Sequence, residues 1–318
     1  MSCTDTLIRA LDKVKEEGMG DLAGNKSLLF RHKFRIPYRN IKKGNSRATF
    51  GIVFWVSVAW VLLITFCAVF ASVLPFADPL KSNLSNTFKP IFETGHILGT
   101  DPLGRDMLSR LIHGAQVSLI IAYTAPIISL FLGVTLGLCA GYFQGKVDTV
   151  IGIFVDAILA FPNIIAIIAI LFFLGPTLLN IILVLGFFGM VADLRVARAN
   201  TILYSKREFV MAARAQGASN LRIMIKELLP NIIIPVIALA IIGMSRVIVI
   251  EGILSFLGVG LPPPNPTWGK MISEGFEEID YAAHITFVPA VAMFFTILSF
   301  NLIGDRLRTL TNARTGQV

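Results

Sequence analysis

The residues able to do chemistry are few and scattered. His32, His96, His113 and His284 stand far apart, and none belongs to an H-E-x-x-H pair that would hold zinc. Cys3, Cys67 and Cys139 are equally dispersed and form neither a disulfide framework nor a metal site. Gly24-Asn25-Lys26-Ser27, Gly145-Lys146 and Gly269-Lys270 lack the glycine spacing of a phosphate-cradling G-x-x-x-x-G-K-[ST] loop. Neither a G-x-S-x-G elbow nor a G-x-G-x-x-G fingerprint occurs. The chain is therefore expected to be no catalyst by itself and to bind no cofactor or metal. What remains are three charges inside apolar runs, Asp156, Arg246 and Glu251. Each is costly in lipid, so each should face protein, water or headgroups, as a structural charge or as part of a translocation path. Arg246 and Glu251 are five apart, about 140° around a helix, which is poor geometry for an intrahelical bridge.

The elements that must position these charges are membrane spans. Of 318 residues, 55% are hydrophobic and 15% charged, and the mean hydropathy is +0.74; an ordinary soluble domain is about 25% charged. This excludes disorder and argues against a soluble enzyme. Lys and Arg exceed Asp and Glu by 28 to 20, but no nucleic-acid-binding signature accompanies them. Apolar runs at 50–74, 116–140, 149–175, 177–194, 230–257 and 283–304 predict six transmembrane helices and an all-α polytopic membrane protein. Pro126, Pro162, Pro235 and Pro289 are the expected kink sites. The chain then divides into a basic N-terminal arm (1–49), a first helix (50–74), a loop (75–115), a five-helix core (116–304) that includes a basic loop at 205–228, and a tail (305–318). The start of the arm, Met1 to Gly18, reads either as a surface-lying amphipathic helix or as a solvated tail. A first run of 25 residues preceded by 49 is not a secretory signal core.

Charge sets the orientation. With the amino terminus inside, the inside segments carry 22 Lys and Arg and the outside loops 5. Positive-inside bias then places both termini in the cytoplasm and the chain in the cell's inner membrane. Ser129, Gly133, Gly137, Gly141 and Gly145 recur every four residues, so they share a helix face along which another backbone can approach closely, in this chain or another.

The loop Ser205 to Asn231 is the most informative segment. Glu208 to Gln216 is rich in helix formers, Gly217 interrupts it, and Ser219 or Asn220 can cap a second helix that begins near Leu221, with Pro230 at the start of the next span. Two short helices joined by a glycine bend would mix exposed Phe209, Met211, Ala212, Ala213 and Leu221 with Arg207, Arg214 and Arg222, as a docking element or as a surface-lying linker.

Four blocks of this sequence resemble those of the permease subunits of ABC importers. Ala212-Ala213-x-x-x-Gly217, followed after nine residues by x-x-Leu229-Pro230, resembles the EAA motif, with Met211 where its leading Glu would stand and Glu227 where its Ile would. Glu208 and the terminal Leu-Pro-Asn bring it closer to the dipeptide and oligopeptide branch. Gly99-Thr100-Asp101-x-x-Gly104-Arg105-Asp106 resembles that branch's GTDxxGRD block. Asp156 followed by Phe161-Pro162 resembles its third-span signature, although Ile153 stands where a basic residue is expected. Leu254-Ser255-Phe256-Leu257-Gly258-x-Gly260 through Trp268-Gly269 resembles its SFLGLG...PPxPxWG block.

The resemblance to the C-type peptide permease implies a type I importer fold of six spans. It also implies a homologous second permease subunit, two ATPase subunits that bind ATP and Mg, and an extracytoplasmic peptide-binding protein. The EAA loop (Glu208, Met211, Ala212, Ala213, Gly217, Leu229, Pro230) would couple to an ATPase, and the outer block (Gly99, Thr100, Asp101, Gly104, Arg105, Asp106) would pin the outer loop where a binding protein lands. Asp101 and Asp106 are expected to accept backbone amides at helix starts, with Arg105 and Arg110 bridging to them. The last outer loop reads as a scoop or a plain surface loop, made acidic by Glu274, Glu277, Glu278 and Asp280. Nickel or other small-solute importers share the four blocks. A stand-alone secondary transporter would call for inverted repeats, and a membrane scaffold would leave the docking loop without a purpose.

Overall fold

The computed structural model describes residues 50–93 and 95–315. The basic arm, with its possible surface helix, and the last residues of the tail lie outside them. Among the described residues the regular structure is helical, apart from isolated bridges. Helix α1, Ile52–Val69, is apolar all round, so nothing in its sequence selects one buried face, and it lies at the periphery with most of its surface open to lipid. Its two polar anchors reach inward. Trp60 Nε1 donates to Thr296 Oγ1 at 3.0 Å, and the Thr65 and Tyr123 hydroxyls are 2.7 Å apart.

Helix α2, Met107–Phe143, has 37 residues and so runs about 55 Å, well beyond the predicted span 116–140. Its first turns carry Arg110 and His113, which a hydropathy window rejects although the backbone is already helical. The third apolar run is not one helix. It divides into α3, Gly145–Leu159, and α4, Asn163–Leu174, bent by 83°. Pro162 sits at the break: it has no N–H for the helical ladder, and its ring disfavours helical geometry at Phe161. Five helices are thus long and apolar enough to cross a membrane, or six when the bent pair counts as one span.

Helix α5, Leu178–Ser205, begins under Thr177, whose hydroxyl accepts the Asn180 amide at 3.2 Å. It continues 11 residues past the predicted span 177–194, taking Arg195 and Arg198 onto the helix. A short helix, α6 (Glu208–Ala215), follows. Helix α7, Asn220–Phe256, then runs unbroken into the next span, so the expected second short helix is instead that span's first turns. Pro230 lies inside α7 and is accommodated by a π-helical turn at Ile223–Leu228. The wider turn re-pairs carbonyls that a proline, having no N–H, would otherwise leave unmatched. Helix α8, Trp268–Phe276, is short, and α9, His284–Thr315, forms the last span.

The most extensive contact joins α2 to α5. One apolar cluster draws Ile121, Leu171, Ile181, Leu185 and Leu254 from α2, α4, α5 and α7. A second gathers Ile64, Leu119, Ile248, Phe300 and the fully buried Trp268 from α1, α2, α7, α9 and α8. A third, at the α6 end, joins Val134 and Leu138 to Ala197, Val210, Ile223 and Leu228.

Candidate functional site

At the α6 end the chain builds a rigid protrusion. Glu208 opens α6 and Arg214 closes it, each favourable to the helix dipole. Gly217 ends it with φ +78°; its N–H donates to the Arg214 carbonyl at 3.0 Å, and the Ala218 N–H reaches back to Ala213 at 3.1 Å. These two bonds form a Schellman cap, which needs a left-handed residue where Gly217 stands. Ser219 then caps α7 by accepting the Arg222 amide at 3.4 Å. Val210 is buried against Ile223, Met224 and Leu228, which clamps α6 to the start of α7. Tyr142, at the end of α2, donates to Asn220 Oδ1 at 2.8 Å and lies under the Arg214 guanidinium, 5.9 Å from the ring centre. Met211, Ala212 and Gly217 are exposed, Ala213 is half-buried and packs on the core, and Leu229 and Pro230 lie on the π-to-α transition of α7. The exposed surface is apolar in part: Phe209, Met211, Leu221 and Ile225 all face out.

The glycine face of α2 meets α5. A Cβ at Gly133 would lie 2.6 Å from Asp193 Cβ, one at Gly137 2.6 Å from the Leu194 carbonyl, and one at Gly141 2.6 Å from Thr201 Cβ. The facing residues Gly189, Asp193, Ala197 and Thr201 have the same four-residue spacing, so small side chains oppose small side chains. Gly145 does not belong to this face: it begins α3 with φ +52° and open space around it. Below the seam, Arg198 of α5 grips Asp148 of α3 through Nε to Oδ1 and through Nη2 to Oδ2, the latter at 2.6 Å.

At the opposite end the 99–106 block forms a closed charge network. Asp101 is 2% exposed and accepts the amides of Leu103 and Arg105 at 2.9 Å each. Those donors belong to its own tight turn, whereas Asp106 caps a helix start by accepting the Ser109 amide at 2.8 Å. Arg105 Nε and Arg110 Nη1 both bond Asp101 Oδ2, at 2.5 and 2.9 Å. Arg110 Nη2 continues to Glu274 Oε2 at 2.8 Å. Glu274 therefore turns from α8 toward this network, paired with arginine and only 30% exposed, and so is not the free surface acid expected of it. Burial pushes its carboxyl above the usual range, against the pull of Arg105 and Lys270. The Thr100 hydroxyl donates to the Asn86 carbonyl at 2.5 Å and accepts the Lys89 amide at 2.9 Å. Gly99 and Gly104 both turn with positive φ, and a Cβ at Gly104 would fall 1.9 Å from the Asn83 carbonyl oxygen. Helix α8 is a buried element: Trp268 is fully enclosed, its Nε1 donating to the Leu111 carbonyl at 3.0 Å.

The three charges named from sequence go to three environments. Asp156 is exposed on α3, and a cation does lie beside it, from α5: Arg195 Nη2 is 3.9 Å away. Glu251 is 2% exposed, with the Ser255 hydroxyl donating to its Oε1 at 2.8 Å and Thr267 and Ser118 alongside, which ties α7 to the start of α8. Arg246 is exposed and borders a cavity of about 100 Å³ among α2, α4, α5 and α7. That cavity also contains Asp193, which sequence reasoning missed. The residue lies one position from the end of the predicted 177–194 run, where a charge reads as a span boundary. The recoverable signal was that it continues the Gly189, Ala197 and Thr201 spacing. Among the described residues no cluster of His, Cys, Asp and Glu has the arrangement of a metal site.

Comparison with known proteins agrees with this architecture. Residues 133–317 match the family model of the binding-protein-dependent transport system inner membrane component. The chain is 37% identical over 254 residues to the di/tripeptide transport system permease protein DppC of Pseudomonas aeruginosa, covering 78% of this chain and 84% of that one. It is 36% identical over 276 residues to the dipeptide transport system permease protein DppC of Alkalihalophilus pseudofirmus, covering 86% and 88%. It is also 34% identical over 215 residues to the glutathione transport system permease protein GsiD of Pectobacterium atrosepticum, covering 68% and 71%. In fold it is similar to a chain of the MetNI methionine ABC transporter, solved in inward-facing conformations, with a TM-score of 0.53 at 19% identity over 64% of this chain and 97% of that one. The chain belongs to the family of binding-protein-dependent transport system inner membrane components, the non-catalytic permeases of ABC importers.

Proposed function

We propose that this chain is one permease subunit of an ATP-driven importer of dipeptides and oligopeptides, with both termini and the α6 segment on the cytoplasmic side. Relatives that align over 84% and 88% of their length are named for dipeptide or di/tripeptide transport, and this observation carries the substrate class. The orientation rests on 22 inside basic residues against 5 outside. In this reading a second, homologous permease subunit completes the path, two ATPase subunits bind ATP and Mg, and a peptide-binding protein delivers cargo to the Asp101 end.

The physical step left to this chain is the transmission of movement. An ATPase subunit would seat α6 through exposed Phe209 and Met211, and the first turn of α7 through exposed Leu221. Because Val210 clamps α6 to α7 and Tyr142 pins it to α2, displacement of α6 passes to spans and not to a slack loop. The outer network, including Asp101, Arg105 and Asp106, would hold the opposite end rigid as a landing surface.

Gly217→Asp tests the coupling. It strains a left-handed position and places a charge at the partner surface. The expected outcome is an inserted, permease-paired chain that has lost peptide uptake, and either loses the ATPases on co-purification or keeps them with hydrolysis no longer raised by loaded binding protein. Normal uptake with normally stimulated hydrolysis would remove the docking role. Labelling of a cysteine at position 217 by an impermeant reagent from outside intact cells would overturn the orientation.

A further inference from the structure

Within the membrane-spanning bundle the chain carries one acid and one base on the same small cavity without pairing them. Asp193 lies near the middle of α5, is 4% exposed, and accepts the Ser129 hydroxyl of α2. Arg246 lies on α7, is exposed, and borders the same cavity, close enough for electrostatic attraction to Asp193. Among the described residues no Lys or Arg nitrogen stands within 4 Å of Asp193 and no carboxylate within 4 Å of Arg246. Asn163, at the first turn of α4 beside the 83° break, adds an amide to the wall, and Gly243 leaves open space on the α7 side.

A guanidinium is charged at any pH a cell reaches, and an exposed one within a span cannot rest against lipid tails. It therefore faces an aqueous path or a complementary group. The nearby carboxylate, held by Ser129 at the base of the cavity, fixes the polarity of that path: negative at the base and positive at the rim. A cation alone would be repelled by Arg246 and an anion alone by Asp193, whereas a molecule with an ammonium at one end and a carboxylate at the other satisfies both. About 100 Å³ holds roughly three waters, so the enclosed part takes an end group and not a whole peptide.

We infer that the Asp193–Arg246 cavity is a subsite for the ends of a zwitterionic short peptide in transit, Asp193 receiving the ammonium and Arg246 the carboxylate. This rests on the reading of the chain as a peptide importer permease, and it assigns Asp193 a role that no sequence motif marks.

The test uses the complete importer, reconstituted in liposomes with its binding protein and ATP, and trialanine as the probe. Gly243→Cys places a thiol on the cavity wall, where a Cβ meets nothing within 4 Å; the reference is the same cysteine-free background with Gly243 intact. A water-soluble thiol reagent should label Cys at this position, and trialanine during turnover should slow the labelling. Asp193→Asn and Arg246→Gln should each abolish that protection and lower trialanine uptake about tenfold or more, the scale of one lost charge-assisted hydrogen bond, with basal ATP hydrolysis retained. The double variant should transport no better than either single one. Absence of labelling, labelling that trialanine does not slow, or wild-type uptake by both single variants would overturn the subsite. Recovery of uptake in the double variant would also overturn it, by showing that the two side chains serve each other and not a substrate. Failure of the unsubstituted importer to take up any peptide would instead sink the peptide reading itself.

Discussion

Asp101, Arg105, Arg110 and Glu274 close one end of the molecule with charges that are almost all buried and mutually bonded. The other end, around α6, is closed by apolar contact, Val210 against Ile223 and Leu228, and leaves Met211 and Leu221 exposed beside it. An ionic lattice with directional bonds fixes geometry, and a buried charge tolerates no loss of its partner. An apolar clamp with an exposed apolar rim holds its shape while leaving surface for another protein. In the proposed reading one end is thus a fixed frame and the other a contact that would transmit displacement, with the α2–α5 seam between them.

Breaking the frame should cost most. Arg110→Ala takes from Asp101 one of its two guanidinium partners and from Glu274 its 2.8 Å partner, leaving Arg105 to serve both acids. The cost therefore falls toward the lower end of the about 3 to 5 kcal/mol of a broken buried pair. The expected reading is a large fall in thermal unfolding temperature and membrane abundance. At the seam, Gly137→Leu forces side-chain atoms where even a Cβ has 2.6 Å of room, and overpacking costs about 1 to 3 kcal/mol. Gly152→Leu on α3, with nothing within 4 Å of its Cβ, is the control and should unfold close to the parent temperature. Val134 would be a poor control, being itself 6% exposed in the α6-end cluster.

At the α6 end, Gly217→Ala should cost about 1 kcal/mol in thermal or denaturant unfolding, the strain of a left-handed residue less the entropy that alanine removes from the unfolded chain. Met211→Ser and Leu221→Ser should shift stability by no more than about 0.5 kcal/mol, because both side chains are more than half exposed. Their effect should appear in the assembled importer as reduced stimulation of ATP hydrolysis and reduced uptake. A large stability loss from the two serine variants, or none from Arg110→Ala, would erase the distinction between the two ends.

How far the sequence could be read varied with the locality of the signal. The Gly217 cap was legible because a Schellman turn is decided by residues within one stretch of chain, and Ser219 announced the next helix in the same way. Helix ends were not legible. Hydropathy marks where a helix is covered by hydrocarbon, and α2 and α5 continue as helices beyond it, carrying Arg110 at one end and Arg198 at the other. Pro162 signalled a kink, but the 83° turn depends on how α4 packs against α5 after the ladder is broken. Pro230 misled in the opposite direction, since a π turn absorbed it and the helix went on.

By itself the sequence determined the apolar helices, the small-residue face of α2 and the compact turn at Gly217. Each follows from composition, a four-residue period or backbone preference acting within a few turns. Only the tertiary structure decided which helix covers that face, that Glu274 turns toward Arg110, that Arg195 stands beside Asp156, and that Asp193 shares a cavity with Arg246. The groups concerned are separated by tens to more than a hundred positions, as with Ser129 and Asp193, 64 apart, and Arg110 and Glu274, 164 apart. No local preference links such groups; they meet because helix packing selects, among many possible faces, the one arrangement that buries small residues closely and leaves few charges unmatched.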